Sequence, residues 1–439
     1  MSQIRHKKDI SLRQFISKLR TVVFFKPHNK LQQSPPKQHN NTTNLMKKLI
    51  PVISAALGLA LATTASASDQ ALLDLLVEKG LVSSSEAAAL KKEAASKSSR
   101  AIVTSSSTNI DSLQIRGRVQ GQFGYASAKN DNGSGDYNSL ELRRVRLGMR
   151  GNLAQNVRAQ IEANFVPNDA KDFTVRSAFL QWREHDFAHV KVGADKPVFG
   201  YEENTSSASI KTVERSMISG IAAPGVMNGV TVDGKLGGMF SYATGFYTDE
   251  TNRNNDGTSG RYLYGLSGGL KLDDLLPEDH KLGLRLDLLK ANDRNGNFGD
   301  PFETGVSISA HYSLAPFDLR AEYIQLETFD KDTTRGWYIM PSFFATDKLE
   351  FVGRYEQAKS DNAQGIRAAS RYARNVDNGI LGGGAEHGDK YHAFYLGANY
   401  YFAGDAHKVM LGVERSELET DTAGDLKATT VYGAWRMLF

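Results

Sequence analysis

The last nine residues of the chain alternate strictly, and this alternation constrains the fold more than any other feature. Apolar side chains and one glycine take every second position: Val431, Gly433, Trp435, Met437 and Phe439. Because successive side chains of a strand point to opposite faces, the segment predicts a β-strand with one lipid-compatible face and one mixed face. A chain built from many such strands has many apolar faces, and the fold must remove these faces from water.

The same period of two recurs upstream from Leu113, for example over residues 157–165, 282–288, 306–314 and 394–402. Each segment has roughly 9–13 residues, the length that a tilted strand needs to cross a bilayer. Short turns alternate with long polar loops near residues 127–137, 196–225, 249–259, 292–302 and 359–389. The pattern predicts an all-β fold, a transmembrane antiparallel β-barrel of about 16 strands over residues 111–439. A soluble all-β protein would lack a second set of apolar faces to pack against.

Three segments of different composition precede the predicted barrel. Residues 1–45 are basic and polar, and we interpret them as a non-native upstream extension. Residues 46–67 combine a positive start, an apolar stretch and Ala65-Ser66-Ala67, which predicts a signal peptide cleaved after Ala67. Residues 68–110 predict a short periplasmic helical segment followed by a Ser/Thr-rich linker.

Composition excludes several classes of function. The chain has no cysteine, which rules out disulfides, CxxC metal sites and thiol nucleophiles. The first 67 residues carry 11 of the 53 lysines and arginines but one of the 49 acidic residues, so the remainder is net negative and the sequence gives no reason to expect a nucleic-acid partner. A G-x-S-x-G match at residues 265–269 lies inside a predicted strand, where it cannot form a nucleophile elbow. We therefore expect no enzyme activity, no metal and no cofactor.

Two further segments carry a more specific signal. Residues 192–207 read VGADKPVFGYEENTSS, and residues 142–151 read LRRVRLGMRG. Both resemble motifs of the phosphate-selective porin O/P family, and the resemblance extends over residues 113–439. It implies a homotrimeric channel in the outer membrane of a Gram-negative bacterium, in contact with lipid and lipopolysaccharide.

The resemblance also implies roles for individual residues. The end of the chain is similar to the assembly signal that the barrel assembly machinery recognises, with Trp435, Met437 and Phe439 as its residues. A long third loop, here residues 196–225, would fold into the barrel and narrow it. Its candidate cations are Lys196, Lys211 and Arg215.

Strand parity predicts which arginines line the pore. Arg116 and Arg118 alternate with apolar residues of the first strand, so they take the inner face. The phase of the second strand slips at Arg143-Arg144, which predicts a β-bulge that keeps both side chains out of lipid. A lipid-facing arginine would cost roughly 2–4 kcal/mol. The predicted anion site contains these residues: Arg116, Arg118, Arg143, Arg144, Arg146 and Arg150, with Arg436 across the closure.

The predicted function is passive diffusion of small hydrophilic solutes, with anions such as phosphate favoured because guanidinium groups suit multi-oxygen anions. One alternative is a general porin, whose cations face these carboxylates across the lumen: Glu162, Asp287, Asp318, Glu322 and Glu350. Another is a structural or adhesive barrel that its loops plug. The fifth loop has Arg294 as its one cation, where phosphate-selective relatives carry several, and the seventh loop offers Arg367, Arg371 and Arg374 instead.

Overall fold

The computed structural model describes residues 102–103, 110–153, 156–166, 174–248, 260–294, 302–362, 365–376, 387–420 and 424–439. The predicted upstream extension, signal peptide and helical segment lie outside the described residues. Within the described ranges, no helix is both long and apolar enough to cross a membrane.

Sixteen long antiparallel strands dominate the described part of the chain. The first eight are β1 (Ile110–Asn130), β2 (Gly133–Leu153), β3 (Val157–Asn164), β4 (Thr174–His185), β5 (Ala188–Asp195), β6 (Met227–Leu236), β7 (Phe240–Thr248) and β8 (Tyr262–Lys271). The second eight are β9 (Lys281–Ala291), β10 (Phe302–Leu314), β11 (Phe317–Thr328), β12 (Thr333–Phe344), β13 (Leu349–Ser360), β14 (Lys390–Tyr401), β15 (His407–Glu419) and β16 (Leu426–Leu438).

Each strand pairs with the next along the chain, and β16 pairs with β1 to close the ring. The structure thus confirms a closed barrel of 16 strands. Closure leaves no unpaired sheet edge, which is the condition for a β-structure to stand in lipid. The predicted loop at residues 127–137 is wrong, because β1 and β2 continue through it as a hairpin whose turn is residues 131–132. Both strands have 21 residues, well past the expected length of roughly 9–13.

The outer face of the barrel is apolar, as the period of two predicted. Leu142, Leu180 and Leu396 are each more than half exposed, and they belong to a large set of exposed apolar side chains on the strands. On β16, Val431 and Trp435 are exposed while Tyr432 and Arg436 are almost completely buried. The lipid-compatible residues therefore point outward and the others point into the barrel.

The described connections contain three short α-helices: α1 (Tyr201–Asn204) and α2 (Met217–Ile221) between β5 and β6, and α3 (Arg371–Arg374) between β13 and β14. Most connections at the rim where β1 begins and β16 ends are short, although nine residues join β8 to β9. The longer connections, including those that carry the helices, leave from the opposite rim. This asymmetry is the one expected for a barrel whose termini face the periplasm.

The last residue completes the closure of the barrel. The backbone N–H of Gly117 donates to the carbonyl oxygen of Phe439 at 2.7 Å, and the N–H of Phe439 donates back at 3.1 Å. The ring of Phe439 covers Gly117 so closely that a Cβ at this position would lie 2.0–2.5 Å from ring atoms. A glycine at position 117 therefore makes room for the terminal ring.

We expect deletion of Phe439 to lower the yield of folded barrel, because it removes both closing hydrogen bonds and uncovers Gly117. Gly117→Ala is expected to have a smaller effect in the same direction. The measurement is the heat-modifiable folded fraction in outer-membrane extracts. As the control, Gly117→Ala is expected to cause no further loss of folded fraction in a Phe439→Ala background, where the ring that it would contact is absent. An unchanged folded fraction after the deletion would show that closure does not depend on this residue.

Candidate pore and constriction loop

The connection between β5 and β6, residues 196–226, crosses the interior of the barrel. Its backbone and side chains reach β1 and β2 on one side and β9, β11, β12 and β13 on the other. We name residues 196–226 the constriction loop. The long third loop therefore folds inward.

Buried carboxylates of the far wall bind the backbone of the constriction loop. The N–H groups of Tyr201 and Glu202, at the start of α1, donate to the two oxygens of Glu322 at 2.7 and 3.0 Å. The N–H of Gly200 donates to Asp287 at 2.9 Å, with φ +79° at the glycine. That backbone conformation suits glycine and explains its place in the motif.

A second helix start is bound in the same way. The N–H of Met217, the first residue of α2, donates to Glu356 on β13 at 2.7 Å. The side chain of Ser216 caps the helix by accepting from the N–H of Ser219. Glu202 in turn accepts from the N–H and the hydroxyl of Ser216 at 2.9 and 2.7 Å. The loop is thus held to itself and to the wall by charge-assisted hydrogen bonds.

The three predicted loop cations are all paired. Lys211 is 6% exposed and contacts Glu350 at 2.5 Å and Asp318 at 3.1 Å. Lys196 pairs with Glu203, and Arg215 donates to the backbone oxygens of Glu202 and Thr205. In the structure these side chains stabilise the loop, and Lys211 is buried between the loop and the barrel wall.

Arg436 faces the interior, but the constriction loop covers it. Its guanidinium donates to the carbonyl oxygens of Ser207 at 2.9 Å and Val213 at 2.7 Å, and the residue is 1% exposed. Lys408 and Arg354 are equally buried on the same half of the barrel. These cations therefore hold the constriction loop in place.

The inner face of β1 and β2 carries the predicted arginines. Gln120 pairs with Arg144 and Gly121 with Leu142, so Arg143 is the extra residue of a β-bulge at the predicted place. Arg143 contacts Glu214 of the constriction loop at 3.3 Å, and Arg144 donates to Gln120 at 2.9 Å. Both guanidinium groups therefore point inward.

Arg118 and Arg146 lie directly opposite each other on β1 and β2. Like charges in this arrangement repel, so the pair favours a nearby anion. Arg118 donates to Ser207 at 2.5 Å and to Ser206 at 3.3 Å, the two serines that end the motif read from the sequence. Arg146 contacts Glu162 on β3 at 3.3 Å.

Two more predicted arginines lie nearer the rim with the short turns. Arg116 and Arg150 both donate to the side-chain oxygen of Gln160, at 3.2 and 2.8 Å. The six predicted arginines are thus brought together along one wall of the lumen, on two paired strands.

Sequence reasoning missed Arg176 on β4. A second bulge separates the pairs Glu162–Ser177 and Ala163–Val175, which leaves Arg176 as the extra residue. Its charge interacts with Glu162 and Arg215, so it joins the same inner wall. The signal was available, because Arg176 has the parity of outward-facing Leu180 and would face lipid without a bulge. Arg158 and Arg183 also face inward on β3 and β4.

The charge of Glu214 is fixed by its neighbours. Burial alone raises the pKa of Glu214, but Arg143 and Arg144 outweigh burial and lower that pKa to about 2. Because the pKa is depressed, the stabilisation is present at neutral pH and is lost progressively as the pH falls from the ordinary pKa of 4.5 toward 2. The carboxylate is therefore ionised at neutral pH and neutralises part of the basic wall.

The two halves of the lumen differ in solvent access. The side chain of Arg143 is 27% exposed and that of Arg146 is 13% exposed, whereas those of Arg354 and Glu414 are 1% exposed. Water therefore reaches the wall formed by β1–β4, which we name the arginine wall. The constriction loop fills the other half.

The seventh loop also enters the barrel. Tyr372 of α3 is buried, donates to Glu141 at 2.9 Å and lies against Gly124, where a Cβ would lie 2.1–2.4 Å from its ring. Arg371 contacts Glu141 at 3.3 Å. Of the loop cations weighed above, Arg294 pairs with Asp330 at 2.8 Å. The seventh loop thus brings cations above Arg143, and the described part of the fifth loop does not.

Comparison with known proteins gives a family match over about a third of the chain. Residues 113–267 match the family described as phosphate-selective porin O and P. This is the family that the motifs predicted, and the match contains most of β1, all of β2–β7 and the constriction loop. No curated protein matches the chain.

Solved structures support the porin-type barrel. An anion-selective porin from Comamonas acidovorans is 14% identical, with a TM-score of 0.51 over 74% of this chain and 99% of that chain. OprB of Pseudomonas putida is 11% identical, with a TM-score of 0.51 over 74% and 94%. OmpT of Vibrio cholerae in its trimer form is 12% identical, with a TM-score of 0.50 over 74% and 99%. At these identities the likeness is one of fold.

The family match and the barrel locate the protein in the outer membrane of a Gram-negative bacterium. They also indicate a channel rather than an enzyme. The solute that the channel carries is a separate question, which the charges of the lumen address.

Proposed function

We propose that this protein is an outer-membrane porin that passes small hydrophilic anions, phosphate among them, along the arginine wall. The observation that carries the proposal is the group of arginines on β1–β4, which the constriction loop contacts at Ser207 and Glu214 but leaves partly exposed to water. Guanidinium groups remain charged at all relevant pH values and offer paired donors to the oxygens of an anion.

The arrangement of the carboxylates favours anion preference over a general porin. Asp287 and Glu322 bind the backbone of the constriction loop, and Glu350 binds Lys211. These acidic groups therefore do not face the arginines across open water. Glu162 and Glu214 remain beside the arginine wall, and they are outnumbered.

We propose that the channel is a homotrimer. The OmpT relative forms a trimer. In this chain β3 and β5 have eight residues each, which span only about 19 Å of membrane at a tilt of 45°, less than the roughly 25 Å apolar band of a barrel. In a trimer, contacts with neighbouring subunits would cover the outer face of these short strands. Its outward side chains Ile161, Leu180 and Val192 are about half exposed in the single chain.

Planar-bilayer recording of the purified protein tests the function. We expect stepwise conductance, a reversal potential in a KCl gradient that indicates anion preference, and a decrease in chloride current when phosphate is added. Cation preference would support the alternative of a general porin, and absence of conductance would support the alternative of a plugged barrel. Anion preference without phosphate block would retain the arginine wall and remove phosphate as its specific ligand.

A further inference from the structure

Three buried carboxylates meet one guanidinium group where the constriction loop rests on the barrel wall. Glu202 belongs to α1 of the loop, whereas Glu356 on β13 and Glu414 on β15 belong to the wall. The cation is Arg354 on β13, and the side chains of all four residues are at most 2% exposed. We name these four residues the carboxylate cluster, which is closed to water.

Both wall carboxylates contact the same nitrogen atom of Arg354. Its Nη2 lies 3.0 Å from Oε1 of Glu356 and donates to Oε2 of Glu414 at 3.2 Å. The loop carboxylate is farther away, with Oε1 of Glu202 3.8 Å from Nη1 of Arg354. Like charges that share a site in this way repel each other, and the repulsion favours the protonated form of one of them.

Two oxygens of the carboxylate cluster lack a hydrogen-bond donor. Within the described ranges, Oε1 of Glu202 and Oε1 of Glu356 are buried and accept no hydrogen bond. Burial of an acceptor without a donor is costly, and the cost is larger for a charged group. A proton on either oxygen would remove one negative charge and supply a hydroxyl donor.

The groups around the carboxylate cluster do not balance its charge. The titratable groups that pack against it from neighbouring elements are these: Tyr338 on β12, Tyr391 and Tyr395 on β14, Tyr432 on β16, and Glu214 of the constriction loop. Neutral tyrosines leave the charge unchanged, and Glu214 adds to the negative side. Arg436 is a cation nearby, but it donates to carbonyl oxygens of the loop. One guanidinium therefore faces three carboxylates in a site without water, where full ionisation is strongly disfavoured.

The carboxylate cluster is also the point at which the wall holds α2. Glu356 accepts the first N–H of that helix, as described above, and Glu202 accepts from Ser216. Nη1 of Arg354 donates to the carbonyl oxygen of Glu214 at 2.9 Å and to the hydroxyl of Thr212 at 3.2 Å. Because one carboxylate lies on the loop and two lie on the wall, repulsion among them acts across the contact that keeps the loop in place.

We propose that the carboxylate cluster binds a proton at neutral pH, and that loss of this proton to water at alkaline pH releases α2 from the wall. Without the proton, the negative charge of Glu202 is repelled by the two wall carboxylates. The attached loop binds the proton more tightly than the detached loop, so attachment is favoured at lower pH and weakens as the pH rises. The proposal concerns the attachment of the constriction loop and does not depend on the solute that the channel passes.

Hydrogen exchange of the backbone amides of α2 tests the proposal in the full-length protein, with rates corrected for the intrinsic effect of pH on exchange. We expect the protection of these amides to fall about tenfold between about pH 7 and about pH 9, since release of one proton changes an equilibrium by at most about tenfold per pH unit. Single-channel recordings over the same range are expected to become noisier, because the released segment moves within the lumen.

Two variants and one control make the test specific. Glu356→Gln keeps an oxygen for the N–H of Met217 and removes the charge, so high protection is expected at both pH values. Glu414→Gln is expected to behave alike, and it is an independent variant should the first fail to fold. Glu214→Gln is the matched control, because this loop carboxylate pairs with Arg143 outside the carboxylate cluster, and it is expected to retain the fall in protection.

Equal protection of wild-type α2 at both pH values would overturn the proposal. An unchanged fall in Glu356→Gln and Glu414→Gln, or loss of the fall in Glu214→Gln, would do so as well. Hydrogen exchange requires no current, which keeps this proposal separate from the proposed function. A protein with the expected fall that conducts no current would reject the channel and leave the proton site intact, whereas an anion-selective channel without the fall would reject the proton site alone.

Discussion

Substitution of alanine for both Arg144 and Arg146 is expected to move the reversal potential of the channel toward cation preference. Both side chains lie on the water-accessible wall. A unit charge acts on a passing ion about 4 Å away with roughly 1 kcal/mol even at the dielectric constant of bulk water. Loss of two charges is therefore expected to lower the anion-to-cation permeability ratio about tenfold or more.

Two matched variants make this expectation specific. Arg144→Lys/Arg146→Lys keeps the charges, so it is expected to preserve the reversal potential while weakening phosphate block through loss of the planar fork. Glu214→Gln removes a carboxylate beside Arg143 and is expected to shift the reversal potential the opposite way. Identical reversal potentials in all of these channels would show that the arginine wall does not line the ion path.

The second large effect is expected from Lys211→Met. Lys211 is buried against Glu350 and Asp318 on the wall opposite β1. Removal of one partner of a buried ion pair costs roughly 3–5 kcal/mol, because a buried charge is left without compensation. We expect the constriction loop to detach, with a larger and noisier single-channel conductance and a lower temperature of unfolding.

The double variant Lys211→Met/Glu350→Gln is expected to recover much of the wild-type behaviour, since it leaves Asp318 with its other partners, His311 and Arg320. Lys191→Met is the matched control, because the Lys191–Asp195 contact of 2.6 Å is partly exposed and contributes under about 1 kcal/mol. If Lys211→Met conducts like the wild type, the loop is held by its backbone contacts alone.

Local pattern was sufficient for the strands and for one bulge. Strand faces follow from alternation along a few residues, and the penalty for a lipid-facing arginine predicted the bulge at Arg143 before any partner was known. The same rule applied to Arg176 would have found the second bulge. It was missed because the parity of β4 was not followed.

Contacts between distant residues were beyond the sequence. Lys211 meets Glu350, 139 residues away, and Arg436 meets the carbonyl of Ser207, 229 residues away. Strand parity predicted which charged residues line the lumen on both sides. It could not tell which cations face water and which lie under the constriction loop.

The sequence by itself determined a 16-stranded porin-type barrel, its inward arginines and its inward third loop, because alternation, turn length and motif are local properties of the chain. Only the tertiary structure decided that Asp287, Glu322 and Glu350 hold the loop, and that the uncovered cations lie on β1–β4. The reason is that a closed ring brings residues from distant strands together around one lumen. Burial and ion pairing there decide which cations remain accessible to a solute.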